Sequence, residues 1–471
     1  MGRKGPSLAC PLRRRERRAA LLASCLATGL LATALLAPAA SSAQSPPQDA
    51  TRVAPATPRA ADARDEILVR FRDEAGAHER GAIRRRAGTP IDEPLPVAGL
   101  QLVEAGRPSE VAEAVRTLER DPDVLYAEPN RRRSTAAFFP NDPLFHRLWG
   151  LHNTGGYLGG IRGVADADID PPEAWRRTRG RSTTTVAVID TGVATTHPDL
   201  APNAWSNAGE NGAGRESNGV DDDRNGLRDD ARGWDFVGSD RRPVDDHGHG
   251  SHVAGTIAAR RGDARGVAGV SRRARIMPLK VLDAEGYGYL SDLVKAYRYA
   301  STKRARVVNL SLAGGEHSRA ERDAIAASPG TLFVVAAGNN GANNDRSLSA
   351  EYPCSYPMAN ILCVAASTPR DRLASFSNFG RSSVDLAAPG THILSTQPGG
   401  RFATFNGTSM ATPHAAGVAS LVLAARPKLS TARVKAAILR GADRKPALAG
   451  TSVTGGRLNA ARALRQVARL R

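Results

Sequence analysis

The strongest constraint on the fold is a repeated alternation of short apolar runs with helical segments across residues 140–471. Continuous apolar strands separated by helices are typical of a parallel sheet that helices cover on both faces. We therefore predict an α/β domain. Its predicted strands are Thr183–Ile189, Val307–Leu312, Leu332–Ala337, Ile361–Ala366 and Val384–Ala388.

A smaller unit precedes this domain. Residues 67–72 alternate apolar and charged side chains, as a half-buried strand does, and residues 99–103 and 124–130 give two more strand patterns. Residues 75–86 and 109–120 have helical patterns, the second with an acidic first turn. The order strand, helix, strand, helix, strand predicts a compact α+β module.

The amino terminus has the pattern of an export signal. A basic run at Arg13–Arg18 precedes an apolar stretch at Ala19–Ala37 and the small residues Ser41-Ser42-Ala43. We predict a cleaved signal over residues 1–43, a linker over 44–64 and a secreted product without stable membrane association. The apolar stretch is just long enough to span a bilayer, so an uncleaved anchor stays open, as does retention at the cell surface.

The net charge of +18 raises the question of nucleic-acid binding. Aromatic residues make up only 5% of the chain, and the arginines are scattered without a recognition helix. We therefore expect no nucleic-acid partner and a solvated, arginine-rich surface.

Cys354 and Cys363 are the two cysteines that remain once the export signal, with Cys10 and Cys25, is removed. An even pair outside the cytoplasm predicts a disulfide. Two separate buried thiols are the alternative.

Three segments carry residues suited to nucleophilic catalysis. The apolar run Val186–Ile189 ends in Asp190, at the strand end where functional side chains gather in α/β sheets. His249 opens a helix of small residues. Ser409 lies where a glycine turn enters another helix, beside unpaired amide donors.

Other enzyme classes fit these segments less well. Asp190-Thr191-Gly192 also occurs in aspartic proteases, but these need two such carboxylates, and the sequence has no second Asp-Thr-Gly or Asp-Ser-Gly. His249 and His252 have no glutamate between them, which argues against a zinc hydrolase.

The three segments together resemble the subtilisin family, which shares the chain order Asp, His, Ser. The resemblance covers roughly residues 140–470, and the module over residues 65–133 resembles the family's inhibitory propeptides. It implies a serine endopeptidase domain over 134–471, made as a self-processed zymogen. In it Ser409 would attack the peptide carbonyl, His249 would move the proton and Asp190 would orient the histidine.

The same resemblance implies further site residues. Asn339, in the segment Ala336-Ala337-Gly338-Asn339, would donate to the oxyanion together with the backbone N–H of Ser409. Two edge strands would hold an extended substrate by backbone hydrogen bonds. These strands contain the substrate-binding residues Gly286, Gly288, Ser311 and Leu312, with Ala313 replacing a glycine common in the family.

Glu351 is expected near the base of the primary specificity pocket, again by resemblance. A partly desolvated carboxylate there would favour Arg or Lys before the scissile bond. Arg131-Arg132-Arg133 offers such a sequence beside the expected maturation site. The alternative is that Glu351 points to solvent and that preference is broad or apolar.

An acidic insert at residues 218–230 resembles the first half of a calcium-binding loop. We predict structural calcium with Asp221, Asp223, Asn225 and Asp230 as ligands, and no cofactor for catalysis. A solvated acidic loop is the alternative. Asp142 and Asp199 match calcium-binding positions of relatives, but the arginines at 260, 261 and 265 argue against a metal there.

The expected partners are protein or peptide substrates and the chain's own propeptide, and we expect a monomer. A catalytically inactive, peptide-binding relative is the competing function class.

Overall fold

The computed structural model describes residues 65–90, 92–107, 109–130 and 139–469. The chain divides into two compact units between Arg132 and Arg133. The predicted export signal, the linker over 44–64 and the triple-arginine segment lie outside the described residues.

The smaller unit is a four-stranded antiparallel sheet with two helices. Its elements are β1 (Glu66–Phe71), α1 (Ala77–Arg86), β2 (Asp92–Pro94), β3 (Leu100–Glu104), α2 (Val111–Glu119) and β4 (Val124–Pro129). Ile67, Val69 and Phe71 alternate along β1 and are fully buried, as the strand pattern predicted. The short edge strand β2 was not predicted, because its residues are two acids and a proline.

The larger unit contains thirteen strands and seven helices among its described residues. The strands are β5 (Tyr157–Leu158), β6 (Ile161–Arg162), β7 (Thr185–Asp190), β8 (Trp234–Asp235), β9 (Arg275–Lys280), β10 (Val307–Leu310), β11 (Leu332–Ala336), β12 (Ile361–Ser367), β13 (Leu386–Pro389), β14 (Ile393–Gln397), β15 (Arg401–Phe405), β16 (Asp443–Arg444) and β17 (Gly456–Arg457). The helices are α3 (Pro171–Trp175), α4 (His249–Ala258), α5 (Leu290–Thr302), α6 (Arg319–Ala326), α7 (Thr408–Ala425), α8 (Thr431–Gly441) and α9 (Ala460–Arg469).

A nine-stranded sheet forms the centre of the larger unit, in the order β16-β17-β13-β12-β11-β10-β7-β9-β8. All neighbouring pairs from β17 to β8 are parallel, and only β16 runs antiparallel to its neighbour. Val186 and Val188 of β7 pack in a core with α4 and α7, whereas Ala187 and Ile189 pack in a second core with α5. The predicted α/β fold with helices on both faces is confirmed.

Strand β9 lies between β7 and β8 but was not predicted. Its sequence, Arg-Ile-Met-Pro-Leu-Lys, has charged ends and a proline, which usually argues against an interior strand. Pro278 is nevertheless paired in register with Val188 of β7. Burial of Ile276, Met277 and Leu279 in the two cores accounts for the strand despite the proline.

The predicted disulfide between Cys354 and Cys363 is present, with the two Cα atoms 5.2 Å apart. Cys363 belongs to β12, so the disulfide ties the segment that follows Glu351 to the central sheet. Within the part of the chain that the structure describes, none of the helices has the length and apolar character needed to cross a bilayer.

Candidate active site

Asp190 and His249 form a hydrogen-bonded pair at the carboxyl end of β7. Oδ1 of Asp190 lies 2.7 Å from Nδ1 of His249, and the aspartate is fully buried. Because a carboxylate can only accept, Nδ1 carries the ring proton and Nε2 of the neutral imidazole remains an acceptor. Burial lowers the pKa of His249, but the charge and hydrogen bond of Asp190, with the charge of Asp245, raise it above its usual value overall.

His249 is held in place by the way α4 begins. Oδ1 of Asp245 accepts from the backbone N–H of Gly248 at 2.7 Å, and Oδ2 accepts from that of Ser251 at 2.8 Å. A Cβ on Gly250 would lie 2.0 Å from the carbonyl oxygen of Gly192, so only glycine lets the helix approach the end of β7 this closely. Asp245 therefore positions the histidine, a role that sequence reasoning missed.

Ser409 is the second residue of α7. Its hydroxyl donates to the backbone carbonyl of Ser311 at 2.9 Å, and the hydroxyl of Ser311 donates to the backbone carbonyl of Ser409 at 2.8 Å. These two hydrogen bonds connect the start of α7 to the residue that follows β10. In this structure the Ser409 hydroxyl therefore donates to Ser311 and not to His249, although catalytic hydrogen bonds often tighten only when substrate binds.

The amide of Asn339 is fixed beside Ser409. Its Oδ1 accepts from the backbone N–H of Thr408 at 2.9 Å and from the Thr408 hydroxyl at 3.0 Å. Because Oδ1 accepts these two hydrogen bonds, the NH₂ group of Asn339 can donate to a ligand in the neighbouring cleft. Buried Asn378 supports the same loop by accepting from the backbone N–H groups of Asn340 and Ala342.

All the predicted catalytic and substrate-binding residues except Asp190 line one cleft of about 860 Å³. Asp190 does not line the cleft, because it is fully buried behind His249. The lining includes His249, Gly286, Gly288, Ser311, Leu312, Asn339, Glu351 and Ser409. A cleft of this size beside a serine and a histidine can accommodate several residues of a peptide.

Glu351 lies in the wall of this cleft, close to the residues on either side of Asn339. Its Oε1 accepts from Nδ2 of Asn340 at 2.9 Å, and a Cβ on Gly338 would lie 2.9 Å from its Cγ. Burial raises the pKa of Glu351, although the hydrogen bond from Asn340 opposes this. The carboxylate is thus partly desolvated.

The acidic insert contributes to a buried cluster away from the cleft. Carboxylate oxygens of Glu210, Asp223 and Asp230 lie within 4.8 Å of one another. Asn225 joins this cluster by donating to Asp230, but Asp221 instead accepts from the backbone N–H groups of Asn225 and Gly226. Glu210 was not predicted, because it precedes the loop-like motif in sequence.

Asp142 and Asp199, the second pair of calcium-like positions, receive backbone hydrogen bonds from Gly262 and Val267 respectively. The guanidinium of Arg261 lies 3.5 Å from the ring centroid of Trp175 nearby. Neither aspartate belongs to the acidic clusters that could hold a metal among the described residues.

The fold and this cleft define the class of protein: a hydrolase built on a mostly parallel sheet, with a serine, a histidine and a buried aspartate near the carboxyl ends of its strands. Residues 181–461 match the Subtilase family, and residues 48–130 match the fervidolysin N-terminal prodomain. The chain belongs to the Subtilase family and is a subtilisin-like serine endopeptidase.

Similar proteins agree with this assignment. The chain is 35% identical to a thermophilic serine proteinase of Bacillus sp. (strain AK1), over 84% of this chain and 86% of that protein. It is also 35% identical to an extracellular protease of Xanthomonas campestris pv. campestris, over 74% of this chain and 60% of that protein. A solved protease structure from Pseudoalteromonas arctica matches 70% of this chain and 99% of its own, with a TM-score of 0.56 and 27% identity.

Proposed function

We propose that the protein is a secreted endopeptidase that acts through Asp190, His249 and Ser409, with Asn339 in the oxyanion hole, and that it removes its own propeptide. The observation that carries this proposal is the 2.7 Å contact between Asp190 and His249 in a cleft that Ser409 and Asn339 also line. The export-signal pattern and the name of the Xanthomonas relative support secretion.

The proposed reaction follows from these positions. His249 Nε2 accepts the hydroxyl proton of Ser409 while Oγ bonds to the substrate carbonyl carbon, and the buried charge of Asp190 stabilises the imidazolium. Asn339 and the N–H of Ser409 donate to the oxygen that becomes negative. The imidazolium then protonates the leaving amine, and water repeats the sequence on the acyl-enzyme.

Ser409→Ala should abolish peptidase activity and leave the precursor uncleaved, because the same hydroxyl would cut the propeptide junction. Expression in a host without other secreted proteases, followed by mass spectrometry of the product, measures both effects. Normal maturation of this variant would contradict self-processing, even if its activity on added substrate were lost.

Glu351 gives the proposed enzyme a preference for Arg or Lys before the scissile bond. The carboxylate is half-buried in the cleft that contains Ser409, and its one described hydrogen bond comes from a neutral amide. An arginine entering the pocket could replace that amide with charge-assisted, bidentate hydrogen bonds.

Glu351→Gln should lower the preference for Arg over Leu at least tenfold, about 1.4 kcal/mol of differential transition-state binding. The measurement is kcat/KM on matched peptides that differ only at this position. Glu285→Gln removes an exposed carboxylate from the same cleft and should leave the ratio unchanged. A wild-type preference for Leu or Phe would contradict basic specificity and leave the triad proposal intact.

Structural calcium is proposed at Glu210, Asp223 and Asp230. Oε2 of Glu210 and Oδ1 of Asp223 are buried and have no hydrogen-bond partner among the described residues. Lys303 forms ion pairs with Asp223 and Asp230, so three carboxylates and one ammonium leave two negative charges. Oxygen donors with a net double negative charge fit a divalent hard cation. Calcium would neutralise the charges that Lys303 leaves unpaired.

Calcium removal should lower the melting temperature, because a ligand that binds only the folded state stabilises that state. The stabilisation is about 2.7 kcal/mol when the free ligand concentration is a hundred times Kd. Glu210→Gln should abolish this calcium dependence. Asp222→Asn, in an exposed residue of the same insert, should retain it. A melting temperature that excess chelator leaves unchanged, or equal effects of the two variants, would rule out this site.

A further inference from the structure

An arginine-lined cavity lies at the edge of the central sheet opposite the catalytic cleft. It has a volume of about 320 Å³, within the range of small-molecule pockets. Its wall contains four arginines, Arg260, Arg272, Arg273 and Arg275, together with the buried Asn203. Nothing in the proposed peptidase mechanism uses these residues.

The topology separates this cavity from the catalytic residues. Arg275 is the first residue of β9 and pairs in register with Thr185, the first residue of β7. Asp190 pairs with Lys280 at the other end of the same two strands. Five residue steps of an extended strand span roughly 17 Å, so the cavity is a separate site.

The arginines of the cavity have few acidic partners. Arg260 lies 3.9 Å from Asp263, the only carboxylate within ion-pair distance of these four side chains among the described residues. Arg275 donates to the backbone carbonyl of Pro202, and Arg272 donates to that of Arg261. Nε of Arg272 is buried and has no hydrogen-bond partner in the described part of the chain.

The arginines around this cavity repel one another. Burial lowers the pKa of Arg272, and the charges of Arg179, Arg273 and Arg260 lower it further, with only Asp142 opposing them. A cluster of guanidinium groups with few acidic partners is electrostatically unfavourable, and an anion that joins it relieves the repulsion. Arg273 is exposed and makes none of the hydrogen bonds or ion pairs found among the described residues, so it is available to such an anion.

We propose that this cavity binds an oligophosphate, an anion with several linked phosphate groups. Guanidinium groups recognise phosphate through parallel, charge-assisted hydrogen bonds. A chain of linked phosphates can contact several arginines at once, because each phosphate carries negative charge. A single phosphate offers only one such group to the four arginines. Binding would stabilise the amino ends of β7 and β9, where the cavity wall is formed.

The test is calorimetric titration of the full chain carrying Ser409→Ala, to prevent autolysis, with inorganic tripolyphosphate. Tripolyphosphate should bind, and orthophosphate should bind at least tenfold more weakly. Arg273→Gln and Arg275→Gln should each weaken tripolyphosphate binding at least tenfold, about 1.4 kcal/mol. Arg298→Gln, which removes an exposed arginine of α5 outside the cavity, should leave it unchanged.

Because Arg273 is exposed, its replacement should not disturb folding, and the melting temperature of each variant without ligand verifies this. Absence of heat up to millimolar tripolyphosphate at low ionic strength would overturn the proposal. It would also be overturned if Arg298→Gln weakened binding as much as Arg273→Gln, because that result indicates attraction to net charge alone.

Discussion

The hydrogen bond between buried Asp190 and His249 is the interaction on which the proposed active site depends. A carboxylate removed from water is costly unless hydrogen bonds and a cation compensate it. Here Oδ1 receives the backbone N–H of Thr191 and faces Nδ1 of His249. Thr191 and His249 therefore supply the hydrogen bonds that compensate this carboxylate, and the contact with His249 also fixes the orientation and proton position of the ring.

The parallel sheet brings the remaining groups to that carboxylate. β7, β10 and β11 are neighbours, and Asp190, Ser311 and Asn339 lie at or just beyond their carboxyl ends. Ser409 then joins them because the start of α7 is hydrogen-bonded to Ser311 and Asn339 through its first residues. At the opposite ends of β7 and β9, the arginine cavity lies apart from this chemistry. The two ends of one sheet can thus serve different ligands.

Features that a few adjacent residues determine could be predicted from the sequence alone. The strand ending at Asp190, the helix opening at His249 and the glycine turn before Ser409 are each contained in a short segment, and the predicted strands of the sheet are confirmed with small shifts at their ends. The disulfide was also predictable, because only one cysteine pair follows the export-signal pattern.

Features that depend on contacts distant in sequence could not be predicted. Glu210 meets Asp223 and Asp230 only through the folding of a long insert, and Lys303 reaches them from the end of α5. Asp245 resembles any loop aspartate until its hydrogen bonds to the start of α4 are seen. The sequence could not group Arg260 with Arg272, Arg273 and Arg275, since only the fold places them around one cavity.

The central claim is that His249, oriented by Asp190, activates Ser409, and the rate of labelling by a fluorophosphonate probe at different pH values tests it most directly. Mass spectrometry should locate the label on Ser409. The rate should rise as His249 loses its proton, with a midpoint above the usual histidine pKa because Asp190 stabilises the protonated ring. Labelling of another residue, or a rate at Ser409 that is the same on both sides of that midpoint, would contradict the account.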